Sequence, residues 1–296
     1  MDFGLCLPNF RAGASAEGID AATETAERLG WSTVWTTDHV LIDRPNADDY
    51  GRIYEAILTL AWVGARHPKV KLGTSVIVMP MRNAVVVAKE LATLDALTDG
   101  RVICGLGIGW DEPEFRNVGV AERFHERGAY LEESILLFRH LWSGSTEPFR
   151  GRFHAFDDFA FEPLPVQGAD LPIVVGGGAA PALERIGRLA DGYHSTAIGP
   201  KAYAERAEKI RAAAKPAGRP EPTWSARVRV EMNGGASSRR YAIRGTPDEM
   251  ATEIRAWAEA GVKHLALYFD ETDPERLVEM LDRFATLARL QTNPSG

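Results

Sequence analysis

The chain has 296 residues, 45% hydrophobic and 25% charged, with a formal net charge of −7 and two cysteines. This composition excludes bulk disorder, and the acidic balance argues against a nucleic-acid partner. Cys6 and Cys104 cannot build a disulfide framework or a four-cysteine metal site, and they suit a reducing cytoplasm.

The first predicted strand covers residues 3–8, and a helix over 16–29 stops at Gly30, a favourable left-handed position. A second strand follows at 32–37, a helix at 53–66, a strand at 70–79 and a helix at 85–97. Residues 101–108 form the fourth strand. The helix at 125–142 carries Leu131, Ile135, Phe138 and Leu141 on one face. The short apolar run 172–175 reads as a strand buried on both sides. Helices at 182–190 and 203–214 and strands at 192–197 and 224–232 continue the alternation. Thr246-Pro-Asp-Glu249 starts a helix with a hydroxyl cap, an early proline and an acid at the third position. A strand at 263–269 and a helix from Thr272 to about Leu290 complete the chain.

Eight strand–helix units predict a (β/α)8 TIM barrel, with a doubly wound open sheet as the rival. The whole chain, 1–296, is expected to be one domain. Segments 111–124, after the fourth strand, and 143–171, between the fourth helix and fifth strand, break the alternation. They are expected to be insertions that roof the pocket, the second with a hairpin. No basic-then-apolar leader opens the chain, and no run approaches the ~20 apolar residues that span a bilayer. A cytoplasmic protein without membrane contact is expected.

Active sites of such barrels lie at the strand C-termini. There stand Phe10, the pair Asp38-His39, Ser75-Val76, Gly105-Leu-Gly-Ile-Gly-Trp110, Gly176-Gly-Gly178 and Thr196. These residues are mostly glycine or apolar, which suits a flat ligand bearing a phosphate better than a hydrolytic site. The seven histidines show no metal-binding spacing, Lys71 and Lys263 lie at strand starts, and the cysteines are single. No metal is therefore expected. Gly176, Gly177 and Gly178 either hold a phosphate with the following helix N-terminus or only form a tight turn. Gly107 and Gly109 either clear space for a ring or belong to a simple loop. His39 is suited to one-proton chemistry near neutral pH, against a packing role; Asp38 either joins it or caps the loop. Phe10 and Trp110 either wall a pocket or belong to the core.

The segments 3–8, 26–39, 72–78, 101–110, 172–178 and 192–194 together resemble the bacterial luciferase-like monooxygenase superfamily, and within it the branch using the deazaflavin coenzyme F420. The resemblance implies a cofactor ring across the strand C-termini and hydride transfer at the ring face; aromatic Phe10 and Trp110 suggest a small, partly apolar substrate. It implies that Asp38 and His39 meet the ring or reaction centre. Ser75-Val76 matches a strand-three bulge with a non-proline cis peptide. Gly177 and Gly178 match a phosphate turn, and Thr196 its hydroxyl partner. It also implies a homodimer through the helices at 53–66 and 85–97. Two positions depart from the sugar-phosphate dehydrogenases of that branch. Trp110 replaces a glutamate, with Glu112 and Glu114 out of register for it, and Asp43 replaces a tryptophan. A flavin-mononucleotide (FMN) monooxygenase and a cofactor-binding protein without turnover are the alternatives. The coenzyme's acidic tail calls for local basic groups, for which Lys201, Arg239, Arg240 and Arg244 are the candidates.

Overall fold

The computed structural model describes residues 1–232 and 240–292. Eight parallel strands form its barrel: β1 (Asp2–Cys6), β2 (Thr33–Thr36), β3 (Lys71–Thr74), β4 (Val102–Gly107), β5 (Ile173–Val175), β6 (Gly192–Thr196), β7 (Thr223–Glu231) and β8 (His264–Phe269). Each pairs with the next, and β8 pairs β1 in the register Asp2↔His264 to Leu5↔Leu267, so the sheet closes. The barrel is the expected fold, and the open sheet is excluded. Around it stand α1 (Ala16–Leu29), α2 (Ala56–Arg66), α3 (Ala84–Leu97), α4 (Arg123–Trp142), α5 (Ala180–Leu189), α6 (Pro200–Ala214), α7 (Pro247–Glu259) and α8 (Pro274–Thr292).

Local chemistry sets the helix ends. The Ser15 side chain accepts from the Gly18 amide to start α1, and Gly30 at φ 75° ends it by donating to the carbonyls of Ala26 and Glu27. Thr246 and Glu249 form the reciprocal capping box of α7. The three residues of β5 are all buried, as expected for a strand covered by helices outside and side chains inside.

The barrel interior is partly polar. Trp35 stacks on His194 with ring centroids 4.5 Å apart, and its indole N–H donates to His264 Nε2 at 3.0 Å. A Cβ on Gly73 would stand 2.3 Å from the Trp35 ring, so β3 carries glycine where β2 carries tryptophan.

Three departures from the expected elements matter for the site. The strand expected at 70–79 is broken: β3 ends at Thr74, the Ser75–Val76 peptide is cis, and Ile77–Val78 rejoins the sheet beside Leu106 and Gly107. The loop after β2 contains a turn at Arg44–Asn46 and a short helix at Ala47–Tyr50. Arg244, expected on a loop, lies on a short strand, Ala242–Arg244, that extends the sheet from β7.

The segment 143–171 contains the expected hairpin, Phe149–Arg150 against Ala155–Phe156. Its place is not the expected one. Glu133 on α4 accepts from the amides of Arg152, Phe153 and His154, and Gln167 bonds Asp95 on α3. The hairpin therefore clothes α3 and α4, because its aromatic side chains pack on the outer helices. Segment 111–124 does reach the barrel mouth, through the helix Glu112–Asn117.

Candidate active site

The strand C-termini bring together most of the predicted residues. His39 follows β2 and is 7% exposed. Its Nδ1 lies 2.7 Å from a carboxylate oxygen of Glu114, which is 1% exposed. The other Glu114 oxygen accepts from the amides of Val40 at 2.6 Å and Leu41 at 3.2 Å. A carboxylate accepts only, so His39 donates from Nδ1, and the neutral ring keeps Nε2 as an acceptor. The Tyr50 ring lies 4.3 Å and the Trp110 ring 5.8 Å from the imidazole.

Glu114 reaches His39 although it is out of register for the glutamate that the family resemblance would place at Trp110. The helix Glu112–Asn117 starts at Asp111, whose side chain accepts from the Glu114 amide, and Pro113 sits in its first turn. This first turn points Glu114 inward. The pattern Asp-x-x-Glu at 111–114 is the same kind of helix start as 246–249, and it was the available signal.

Asp38 is 2% exposed and already engaged. It accepts from the Val78 amide at 2.9 Å and from Arg82 Nη2 at 2.5 Å and Nε at 3.2 Å. Arg82 also meets Glu55 at 2.8 Å. The Asp38 carboxylate thus pins the far side of the β3 break.

Ser75 Oγ lies 2.9 Å from His194 Nε2, and His194 Nδ1 lies 2.8 Å from Ser225 Oγ. Burial pushes the His194 pKa down to about 3, helped by the charges of His264 and Arg227. The ring is neutral at any working pH and is a structural spacer beneath the mouth.

Gly107 and Gly109 face the displaced strand. A Cβ on Gly107 would meet a Val76 methyl at 2.5 Å, and one on Gly109, at φ +73°, would meet Val78 at 2.6 Å. That space is taken by the displaced strand after the cis peptide, so these glycines accommodate the bulge.

Gly176, Gly177 and Gly178 lead from β5 into α5. Gly177 has φ +148°, and the Ala179 cap of α5 supplies no side-chain hydrogen bond to the helix amides. Arg206 of α6 stands directly over the turn: a Cβ on Gly178 would come within 2.5 Å of its guanidinium. Its Nη1 is 3.3 Å from the Tyr193 hydroxyl, which donates to the Gly177 carbonyl at 3.0 Å. Exposed Thr196 ends the neighbouring β6. A glycine turn, an uncapped helix start and a guanidinium fit a phosphate. The sequence did not single out Arg206. Of the cations it did single out, Lys201 opens α6 and Arg244 is paired with Glu231 at 3.3 Å. Arg240 follows the undescribed stretch, and Arg239 lies outside the described residues.

Phe10 is 3% exposed and stacked between Tyr50 at 5.6 Å and Tyr268 at 5.4 Å. Trp110 is half exposed beside His39. An aromatic wall therefore runs from Tyr268 to His39. No group of three or more metal-ligating side chains is arranged for an ion among the described residues.

The closed (β/α)8 barrel carries an acid-held histidine, a kinked third strand and a glycine turn at its mouth, an arrangement compatible with a deazaflavin- or flavin-dependent oxidoreductase. The chain belongs to the luciferase-like monooxygenase family, whose model matches residues 1–233. It is 28% identical to an F420-dependent glucose-6-phosphate dehydrogenase of Kineococcus radiotolerans, over 86% of this chain and 87% of that protein. In fold it resembles the monooxygenase RslO1 from Streptomyces bottropensis, with a TM-score of 0.84 at 20% identity, covering 99% of this chain and 100% of that one. It also resembles an F420-dependent secondary alcohol dehydrogenase in complex with an F420–acetone adduct, with a TM-score of 0.81 at 17% identity, covering 97% and 99% of the two chains.

Proposed function

We propose that this protein transfers hydride between coenzyme F420 and a small, partly apolar organic substrate. The observation that carries the choice of coenzyme is the similarity to an F420-dependent dehydrogenase over 86% of the chain. The site residues are compatible with it. Gly176, Gly177, Gly178, Thr196 and Arg206 would hold the phosphate, and the Ser75-Val76 bulge would back the ring. When bound, the coenzyme supplies a ring carbon that gives or accepts a hydride.

The chain's own residues supply position and one proton site. Glu114 holds Nδ1 of His39, which leaves Nε2 to take the proton of a substrate hydroxyl as hydride leaves, or to return it in the reverse direction. Asp38 and Arg82 act through position, by holding the strand after the bulge. Half-exposed Trp110 would line an apolar substrate pocket, and buried Phe10 would back its aromatic wall.

The relatives' sugar-phosphate substrate is not carried over, since Trp110 and Asp43 replace the residues that accompany it. Leu58 and Leu97, 71% and 77% exposed on α2 and α3, support a homodimer through these helices, which light scattering in solution tests. A cytoplasmic location is supported by the two buried free thiols. No helix among the described residues is long and apolar enough to cross a membrane.

Titration of the apoprotein with F420 and with FMN, followed by fluorescence, tests the coenzyme. Micromolar or tighter binding of F420 with weaker FMN binding is expected. Binding of FMN without F420 would transfer the protein to the flavin-dependent oxygenases. Binding of F420 without turnover of any alcohol or carbonyl compound would favour the non-catalytic alternative.

A further inference from the structure

Four arginines meet at the open end of β7 and β8, and three of them are neutralised. Arg11 pairs with Asp49 at 2.9 Å and with Asp270, Arg229 pairs with Asp270 at 2.7 Å and Glu231 at 3.2 Å, and Arg244 pairs with Glu231 at 3.3 Å. The fourth, Arg227, makes no ion pair among the described residues. Its one hydrogen bond to protein runs from Nη1 to the Ser75 carbonyl at 2.9 Å. A guanidinium has five N–H donors in a planar fork, so most of this fork is unused. The group is half-buried, 5.7 Å from the Phe10 centroid and 5.2 Å from that of Tyr268.

The position is as informative as the missing partner. Arg227 pairs in register with Thr196 of β6 and Ala266 of β8, two residues above Ser225, the partner of His194. Strand alternation therefore turns its side chain into the barrel, above the neutral spacer layer. The Ser75 bond fixes it beside the β3 bulge. The aromatic wall continues from Phe10 through Tyr50 to His39. Along this row the Arg227 fork stands at the Tyr268 end and His39 at the other, so a molecule spanning its outer edge would meet both.

We propose that Arg227 is the substrate's anion-recognition residue and that the substrates are carboxylate-bearing alcohols, or the corresponding oxo acids. This rests on the hydride-transfer function proposed above. A planar fork with parallel N–H groups matches a carboxylate in two-point contact, and partial desolvation against two aromatic rings strengthens that contact. In the oxidative direction the carbinol C–H bond breaks and its electron pair leaves as hydride to coenzyme F420. The hydroxyl proton passes to His39 Nε2, and the C=O bond forms. The alcohol is oxidised, the coenzyme is reduced, and the carboxylate is unchanged.

An anionic oxygen could also come from the coenzyme, and the test separates the two sources. Calorimetry measures binding of mandelate and 3-hydroxy-3-phenylpropanoate, each beside its methyl ester, to the F420-loaded and coenzyme-free protein. At least one acid is expected to bind tenfold or more tightly than its ester. Arg227→Met should abolish that difference, Arg227→Lys should retain part of it, and F420 affinity should change less than threefold in both variants. Neither acid outbinding its ester in the wild-type protein overturns the proposal. So does a Met variant that loses F420 affinity while keeping the acid preference, which would assign the fork to the coenzyme. Normal F420 binding with no acid preference defeats this inference alone, whereas absent F420 binding defeats the hydride-transfer reading. Circular dichroism of both variants checks the fold.

Discussion

Glu114 accepts from His39 Nδ1 at 2.7 Å and, with its second oxygen, from the backbone amides of Val40 and Leu41. One buried carboxylate thus sets both the tautomer of the imidazole and the path of the loop that carries it. Replacing it with the isosteric amide in Glu114→Gln places an N–H among donors. Turnover is expected to fall by about 10²-fold, with His39→Ala falling by about 10²- to 10⁴-fold, the usual range for losing a positioned acid–base group. F420 affinity should change little in either variant. Steady-state kinetics beside fluorescence titration checks this, and a Glu114→Gln enzyme with full turnover would remove Glu114 from the site.

Arg206 and the Gly177 carbonyl share the Tyr193 hydroxyl, which places the guanidinium at the glycine turn. Arg206→Met should weaken F420 binding about tenfold, roughly 1.4 kcal/mol, close to the lower end for a charge-assisted hydrogen bond. The coenzyme without its phosphate-bearing side chain should show no such loss. An equal loss for both ligands would contradict a phosphate role.

Arg82 neutralises an Asp38 carboxylate whose side chain is fully buried. Arg82→Met leaves that charge uncompensated, and a loss of about 3–5 kcal/mol in unfolding free energy is expected. Adding Asp38→Asn should recover part of it, since the amide carries no charge to strand. Urea denaturation of the single and double variants measures both numbers. A single variant within about 1 kcal/mol of wild type would show that the pair contributes little.

His194 makes stability depend on pH in a definite direction. Its pKa is about 3 in the fold, against about 6.5 for a solvent-exposed histidine. Between these values the unfolded chain binds a proton that the folded one refuses. Stability is therefore fully present above pH 6.5 and is lost as pH falls, by up to about 1.4 kcal/mol per pH unit from this group. His194→Asn should flatten that slope between pH 6.5 and 5 in chemical denaturation. An unchanged slope would mean that other groups dominate acid sensitivity.

The barrel and much of the mouth were legible in the sequence. Apolar periodicity, the Gly30 stop and the Thr246-Pro-Asp-Glu249 start are local signals, and local geometry obeys them. The break in β3 was not visible in its own residues, since Val70 to Met79 is continuously strand-like apart from Gly73 and Ser75. It came through family resemblance. Segment 143–171 was misplaced because a hairpin rich in phenylalanine carries no address for the surface it covers.

The sequence alone determined the order of strand and helix, and therefore which residues sit at strand C-termini: Asp38, His39, Ser75, Gly176 and Thr196. Only the tertiary structure decided what each of them touches. Glu114 and His39 are 75 positions apart, Arg82 and Asp38 44, and Arg206 and Gly177 29. Pairing over such distances depends on strand register and loop path, to which no local pattern is sensitive. The charge count of −7 likewise concealed Arg227, because a guanidinium without an ion pair among the described residues becomes distinct only when the ion pairs of its neighbours are known.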